Sequence, residues 1–129
     1  QILEMDVPVI AAINMVDELK PNSYTYLDKI GWLSKLDGAI KKNIIDTHED
    51  GEDITFTGYN NDTPDDTELL VKAPYDEIYL YWLESRIDYH NGEYGRYNNT
   101  VTTYNAAYSA FERFYNRAHM PKGTKFNFF

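Results

Sequence analysis

The stretch Tyr97-Asn-Asn-Thr-Val101-Thr-Thr-Tyr104-Asn-Ala-Ala-Tyr108-Ser-Ala-Phe111-Glu-Arg-Phe-Tyr115-Asn-Arg-Ala118 decides how the rest of the chain is read. Its mostly apolar and aromatic positions recur in steps of 4, 3, 4, 3, 4 and 3, the heptad spacing that lines one face of a helix. Such a seam predicts a helix over residues 93–119. At about three heptads it suits packing against helices of the same chain better than an extended coiled coil.

Working outward, Asn91-Gly92 marks the stop of a preceding helix, and Pro74 with Asp76 and Glu77 marks its start, acids in a first turn being favoured by the helix dipole. Between them, Ile78-Tyr79-Leu80-Tyr81-Trp82-Leu83 is apolar or aromatic nearly all round. A helix of that kind is central in a fold or shared with a neighbouring chain. Further upstream, Ser23 or Thr25 can cap a long amphipathic helix whose stripe is Leu27, Ile30, Leu33, Leu36, Ile40 and Ile44. Asp28, Lys29, Lys35, Asp37 and Lys41 are assigned to its water-facing side. The first helix is expected to start with Asp6 as cap and Pro8 in the first turn, to carry Val9, Ile10, Ile13, Val16 and Leu19, and to stop at Pro21. The fold class is therefore mainly α: one domain over residues 1–129, a four-helix bundle-like protomer.

Residues 46–73 interrupt this pattern with a long acidic loop or short β-hairpin, strands being expected at residues 54–57 and 69–72. A connection this long is uncommon in a compact domain and is usually functional or disordered. Residues 121–129 form an extended tail. Its three phenylalanines would be a liability unless they dock on something.

The net charge is −9, and residues 46–68 carry nine acids with no Lys or Arg, so that one stretch accounts for all of it. From Tyr94 onward five bases face one acid, Glu112. A chain this acidic repels nucleic acid and anionic lipid wherever its bases are not segregated. The chain has no cysteine, which excludes thiol catalysis, cysteine-held metals and disulfides. The longest apolar run, residues 7–13, is broken by Pro8 and falls far short of the ~20 residues of a membrane span. No signal peptide is expected, because no basic region followed by an apolar stretch opens the sequence.

A search for chemistry returns little. The acidic run beginning Asp46-Thr-His48-Glu49-Asp50-Gly51-Glu52-Asp53 fails the calcium-loop spacing, since Thr57 falls where the bidentate glutamate is required. His48, His90 and His119 form no ligand pair and are read as surface or helix-end residues. There is no Gly-x-Ser-x-Gly elbow and no glycine-rich phosphate loop. A protein without catalysis, metal or cofactor is expected.

The aromatic content needs its own explanation, with nine of the twelve tyrosines between Tyr75 and Tyr115. A tyrosine core accounts for the seam of the last helix. It does not account for Tyr79, Tyr81, Tyr89, Tyr94 and Tyr97 together, which spread around two helices. Tyrosine is enriched at protein interfaces, so these five are expected to face another polypeptide.

Pro74-Tyr-Asp-Glu-Ile-Tyr-Leu-Tyr-Trp-Leu-Glu-Ser-Arg-Ile-Asp-Tyr89, Asn91-Gly-Glu-Tyr-Gly-Arg-Tyr-Asn-Asn-Thr100 and Phe111-Glu-Arg-Phe-Tyr-Asn-Arg117 resemble the small head–tail connector, or adaptor, proteins of long-tailed bacteriophages. The resemblance runs over most of residues 7–120. It implies a virion neck protein assembled in the bacterial cytoplasm as a ring, often of twelve copies. Its partners would be further copies of itself, the portal and the next neck or tail protein, with DNA passing nearby and no membrane. On that reading Lys122, Lys125, Phe126, Phe128 and Phe129 would dock on the portal. The acids Glu49, Asp50, Glu52, Asp53, Asp62, Asp65 and Asp66 would face the channel or a neighbour. Rival readings are another small phage assembly factor, for tail completion or head decoration, and a monomeric aromatic-lined ligand-binding module.

Overall fold

The computed structural model describes residues 4–123, and they are mainly helical: α1 (Val9–Leu19), α2 (Tyr26–Asn43), α3 (Glu77–His90) and α4 (Tyr94–Ala118). Two single turns of 3-10 helix, Ile45–Thr47 and Gly51–Asp53, follow α2. α3 runs along α4 and also meets α1 and α2, as its all-round apolar sequence requires. The core is built from Val9, Ile13 and Val16 of α1, Ile30, Leu33 and Ile40 of α2, Ile78, Leu83 and Ile87 of α3, and Phe111 and Tyr115 of α4. At 25 residues α4 is about 37 Å long against about 21 Å for the 14-residue α3. Much of its heptad seam is therefore half covered, and Ala118 is exposed.

Local chemistry sets the helix ends. Thr25 Oγ1 accepts from the Asp28 amide at 3.1 Å while the Asp28 carboxylate accepts from the Thr25 amide at 3.1 Å, a reciprocal cap at the start of α2. Gly92, at φ +74, ends α3. The Gly92 amide donates to Tyr89 O and the Glu93 amide to Asp88 O, which satisfies two terminal carbonyls and reverses the chain into α4. Asp6 does not cap α1, whose cap residue is Pro8; it instead lies 3.4 Å from Lys72 Nζ. The first free amides of α1 donate to the connection: Val9 N to Thr67 O at 2.8 Å and Ile10 N to Asp65 O at 3.1 Å.

The connection differs from the expected hairpin. Residues 54–57 do not pair with residues 69–72. The latter segment meets the N-terminal segment through isolated antiparallel bridges, Met5 with Ala73 and Pro8 with Glu68, with Leu69 N donating to Val7 O at 2.8 Å. Leu69 and Val71 thereby enter the core, because the alternation of that segment needs a partner edge and the chain start supplies it. A third bridge joins His48 to Pro121. The 46–73 segment is thus laced to the rest of the chain at both ends.

Four assignments on α2 and its flank are corrected by burial. Lys29 and Asp37 are not water-facing but buried, and Leu27 of the apolar stripe is exposed. Lys29 keeps its charge solvated by substitution, donating to Tyr24 O at 2.8 Å and pairing with Asp17 at 2.6 Å. His48, read as a surface residue, is also buried.

Candidate interaction surface

On α3, Trp82, Arg86, Tyr89 and His90 stand at helical spacing on one side, facing α2 and the first half of α4. The Arg86 guanidinium lies 4.3 Å from the Trp82 ring centre and 5.6 Å from those of Tyr89 and Tyr97, positions where the ring faces attract a cation. Tyr89 packs against Tyr97 and Tyr94 at 5.4 and 6.0 Å between ring centres. Across from it, Trp32 of α2 stacks on His90 at 5.3 Å with planes 9° apart, and the Trp82 indole donates to Trp32 O at 2.8 Å. Between these rings opens a cavity of about 160 Å³ lined by Trp32, Lys35, Trp82, Arg86, His90 and Tyr104. Burial, and Tyr108 beside it, push the Tyr104 hydroxyl up, so it stays protonated and able to donate.

The five expected interface tyrosines divide. Tyr89 and Tyr94 are exposed, at 46% and 61%, and Tyr97 is half-buried beside them. These three and Arg86 make one continuous patch at the α3–α4 turn. Tyr81 is half-buried on another side of α3, its hydroxyl pushed up by burial and by Glu77 and Glu84. Tyr79 is a correction: it is 1% exposed and has no surface to offer a partner. Its hydroxyl donates to Asp37 at 2.7 Å and accepts from the Val71 amide at 2.7 Å, so it holds the connection to the core.

Asp37 is the centre of that anchor. It accepts from the Tyr59 and Tyr79 hydroxyls at 2.5 and 2.7 Å and from the Leu70 amide at 3.1 Å. Burial nevertheless pushes its carboxyl up to about 6. Sequence reasoning missed Asp37, although a signal existed: residues 30, 33, 37, 40 and 44 step by 3, 4, 3 and 4, which puts Asp37 on the buried stripe.

The acidic segment is pinned in two places rather than hanging free. Its first part lies on the end of α4: His48 Nε2 meets Asn116 Oδ1 at 2.8 Å, the Glu49 amide donates to Met120 O, and His119 bonds Asp50. That contact with His119 holds the Asp50 carboxyl below its usual range. Glu49, Glu52 and Asp53 are exposed. In the second part Asp65 accepts from the Tyr26 hydroxyl at 3.1 Å, while Asp62 and Asp66 project into solvent. The Lys122 amide donates to Thr47 O at 2.7 Å. The other tail residues singled out from the sequence, Lys125, Phe126, Phe128 and Phe129, lie outside the described residues.

Among the described residues no three His, Asp or Glu side chains converge as metal ligands, and no helix is long and apolar enough to cross a membrane. No protein-family model, curated protein or solved structure matches the chain.

Proposed function

We propose that this chain is a non-enzymatic structural subunit of a bacteriophage neck, a head–tail adaptor whose four-helix bundle protomer assembles side by side into a ring between the portal and the next neck or tail protein. One observation supports the reading above the others: the exposed Tyr89 and Tyr94 and the half-buried Tyr97 and Arg86 form an aromatic and cationic patch at the α3–α4 turn, while Asp62 and Asp66, without a cationic partner among the described residues, project from a different part of the chain. Closed rings need two unlike surfaces on each copy, because each contact is heterologous. Tyrosine and arginine at the centre of such a patch are the residue types that dominate association energies.

Native mass spectrometry over a hundredfold range of protein concentration, with negative-stain images of the same samples, tests the reading. Closed rings are expected for a cyclic heterologous contact, and the adaptor resemblance implies about a dozen copies in each. A monomer at every concentration would overturn it, and a melting temperature that then rises on adding calcium, taken up by the acidic segment, would favour a ligand-binding module.

A further inference from the structure

The cavity between α2, α3 and α4 is cationic in a chain of net charge −9. Lys35 and Arg86 line it, no carboxylate does, and neither cation has a carboxylate partner among the described residues. Of the other described bases, Lys20, Lys29, Lys41, Lys72 and Arg96 each lie within 4 Å of an acid, while Lys42, Arg113, Arg117 and Lys122 do not; what sets Lys35 and Arg86 apart is that they line one cavity. Arg86 Nε is out of solvent and, among the described residues, without a hydrogen-bond partner, a costly arrangement for a guanidinium that an arriving acceptor would relieve. A volume of 160 Å³ corresponds to about five waters at their liquid share. That is room for a carboxylate side chain or two and little more.

The matching anion stands on the opposite side of α2. Residues 59–67 form a turn held by its own hydrogen bonds: Asn60 N to Thr63 Oγ1 at 2.8 Å, Asp62 N to Asn60 Oδ1 at 2.8 Å and Thr67 N to Pro64 O at 3.0 Å. The turn is anchored through Tyr59, whose amide donates to Ser34 Oγ and whose hydroxyl donates to Asp37. Ser34 and Asp37 lie on one side of α2, and the cavity residues Trp32, Lys35, Leu36 and Ala39 on the other, roughly half a turn away at about 100° per residue. A turn fixed in that way cannot reach the cavity of its own chain. It presents Asp62 and Asp66, exposed and without a cationic partner among the described residues, to whatever lies beside that face.

We infer that the cavity receives the 60–66 turn of a second copy of this chain, with Lys35 and Arg86 meeting the Asp62 and Asp66 carboxylates and Trp32, Trp82 and Tyr104 enclosing them. The inference rests on the ring reading and specifies its lateral contact. Each copy gives its turn on one side of α2 and takes its neighbour's turn on the other, the head-to-tail arrangement that lets a ring close.

Charge exchange tests it. One variant carries Lys35→Glu and Arg86→Glu, the other Asp62→Lys and Asp66→Lys, and both are checked for native helix content. Each alone places like charges across the contact and is expected to self-associate at least tenfold more weakly than wild type at low salt. An equimolar mixture restores opposite charges at every contact and is expected to recover wild-type assembly in alternating order. Because the chain has no cysteine, an Asn61→Cys, Ala39→Cys double variant reports the same contact as an intermolecular disulfide ladder, whereas Asn61→Cys with Glu18→Cys gives none. Wild-type assembly by either folded charge variant alone, or a mixture of folded variants that stays apart, overturns this contact and leaves the ring reading standing if wild type forms rings. A wild type that never associates overturns both.

Discussion

Among the described residues Asp37 has three hydrogen-bond donors and no cation, so its charge is solvated by the Tyr59 and Tyr79 hydroxyls and the Leu70 amide. With the folded-state value at about 6 and the ordinary one at 3.8, the native state binds more protons than the unfolded state between those values. Asp37's contribution to stability is then fully present below pH 4 and is lost as the pH rises through 6. Asp37→Asn should therefore flatten the pH dependence: urea unfolding at pH 4.5 and pH 7 is expected to show a wider gap between wild type and variant at pH 4.5. The substitution also turns an NH2 toward donors and is expected to cost about 1–3 kcal/mol at either pH for one unsatisfied group. Asp37 was legible in principle, since it falls on the 3-4 stripe of α2. Its place on that stripe outweighs its charge. His48 carried no such signal: its partner Asn116 is 68 residues away and its local sequence is acidic and without period.

At the level of elements, what was legible is what is local. The cap of α2, left between Ser23 and Thr25 by the sequence and made by Thr25 with Asp28, the Gly92 reversal and the helix that carries the heptad seam each rest on residues close in sequence. Removing the cap with Thr25→Ala is expected to lower stability by ~1 kcal/mol in thermal or urea unfolding. Two glycines give opposite predictions. A Cβ on Gly51 would stand 2.4 Å from Ile45 O, a backbone atom of the first 3-10 turn, so Gly51→Ala should destabilise and loosen the packing of residues 45–53. Gly31 lies inside α2 with nothing within 4 Å of its Cβ position, and Gly31→Ala should stabilise by up to ~1 kcal/mol. The pairing of residues 69–72 was not legible. Its alternation announced an extended segment but not its partner, and the nearest extended candidate in sequence was not the one the fold uses.

For the whole molecule, the charge map follows from sequence alone while its consequence depends on the fold. The acids of residues 46–68 are divided, some tied to His119 at the end of α4 and to Tyr26 of α2 and others left projecting, and Lys35 and Arg86 are brought to one cavity from different helices. No linear reading joins residues 35, 86 and 104. The lacing of the connection makes a global prediction. Deleting residues 1–8 removes the Val7 and Met5 carbonyls that accept from the Leu69 and Ala73 amides. Hydrogen exchange at those two amides should speed up at least tenfold, with the centre of α2 little changed. The same lacing bears on how the protein is made. His48 takes its place in the core against Asn116 and Tyr115, and the Thr47 carbonyl waits for the Lys122 amide. On the ribosome, where the chain emerges at about 5–20 residues per second, α1, α2 and the connection are complete long before the residues that lock them. During that interval the acid-rich segment, whose like charges repel one another, has no partner at its α4 end. Like charge on unfinished chains opposes their association with one another until α4 arrives.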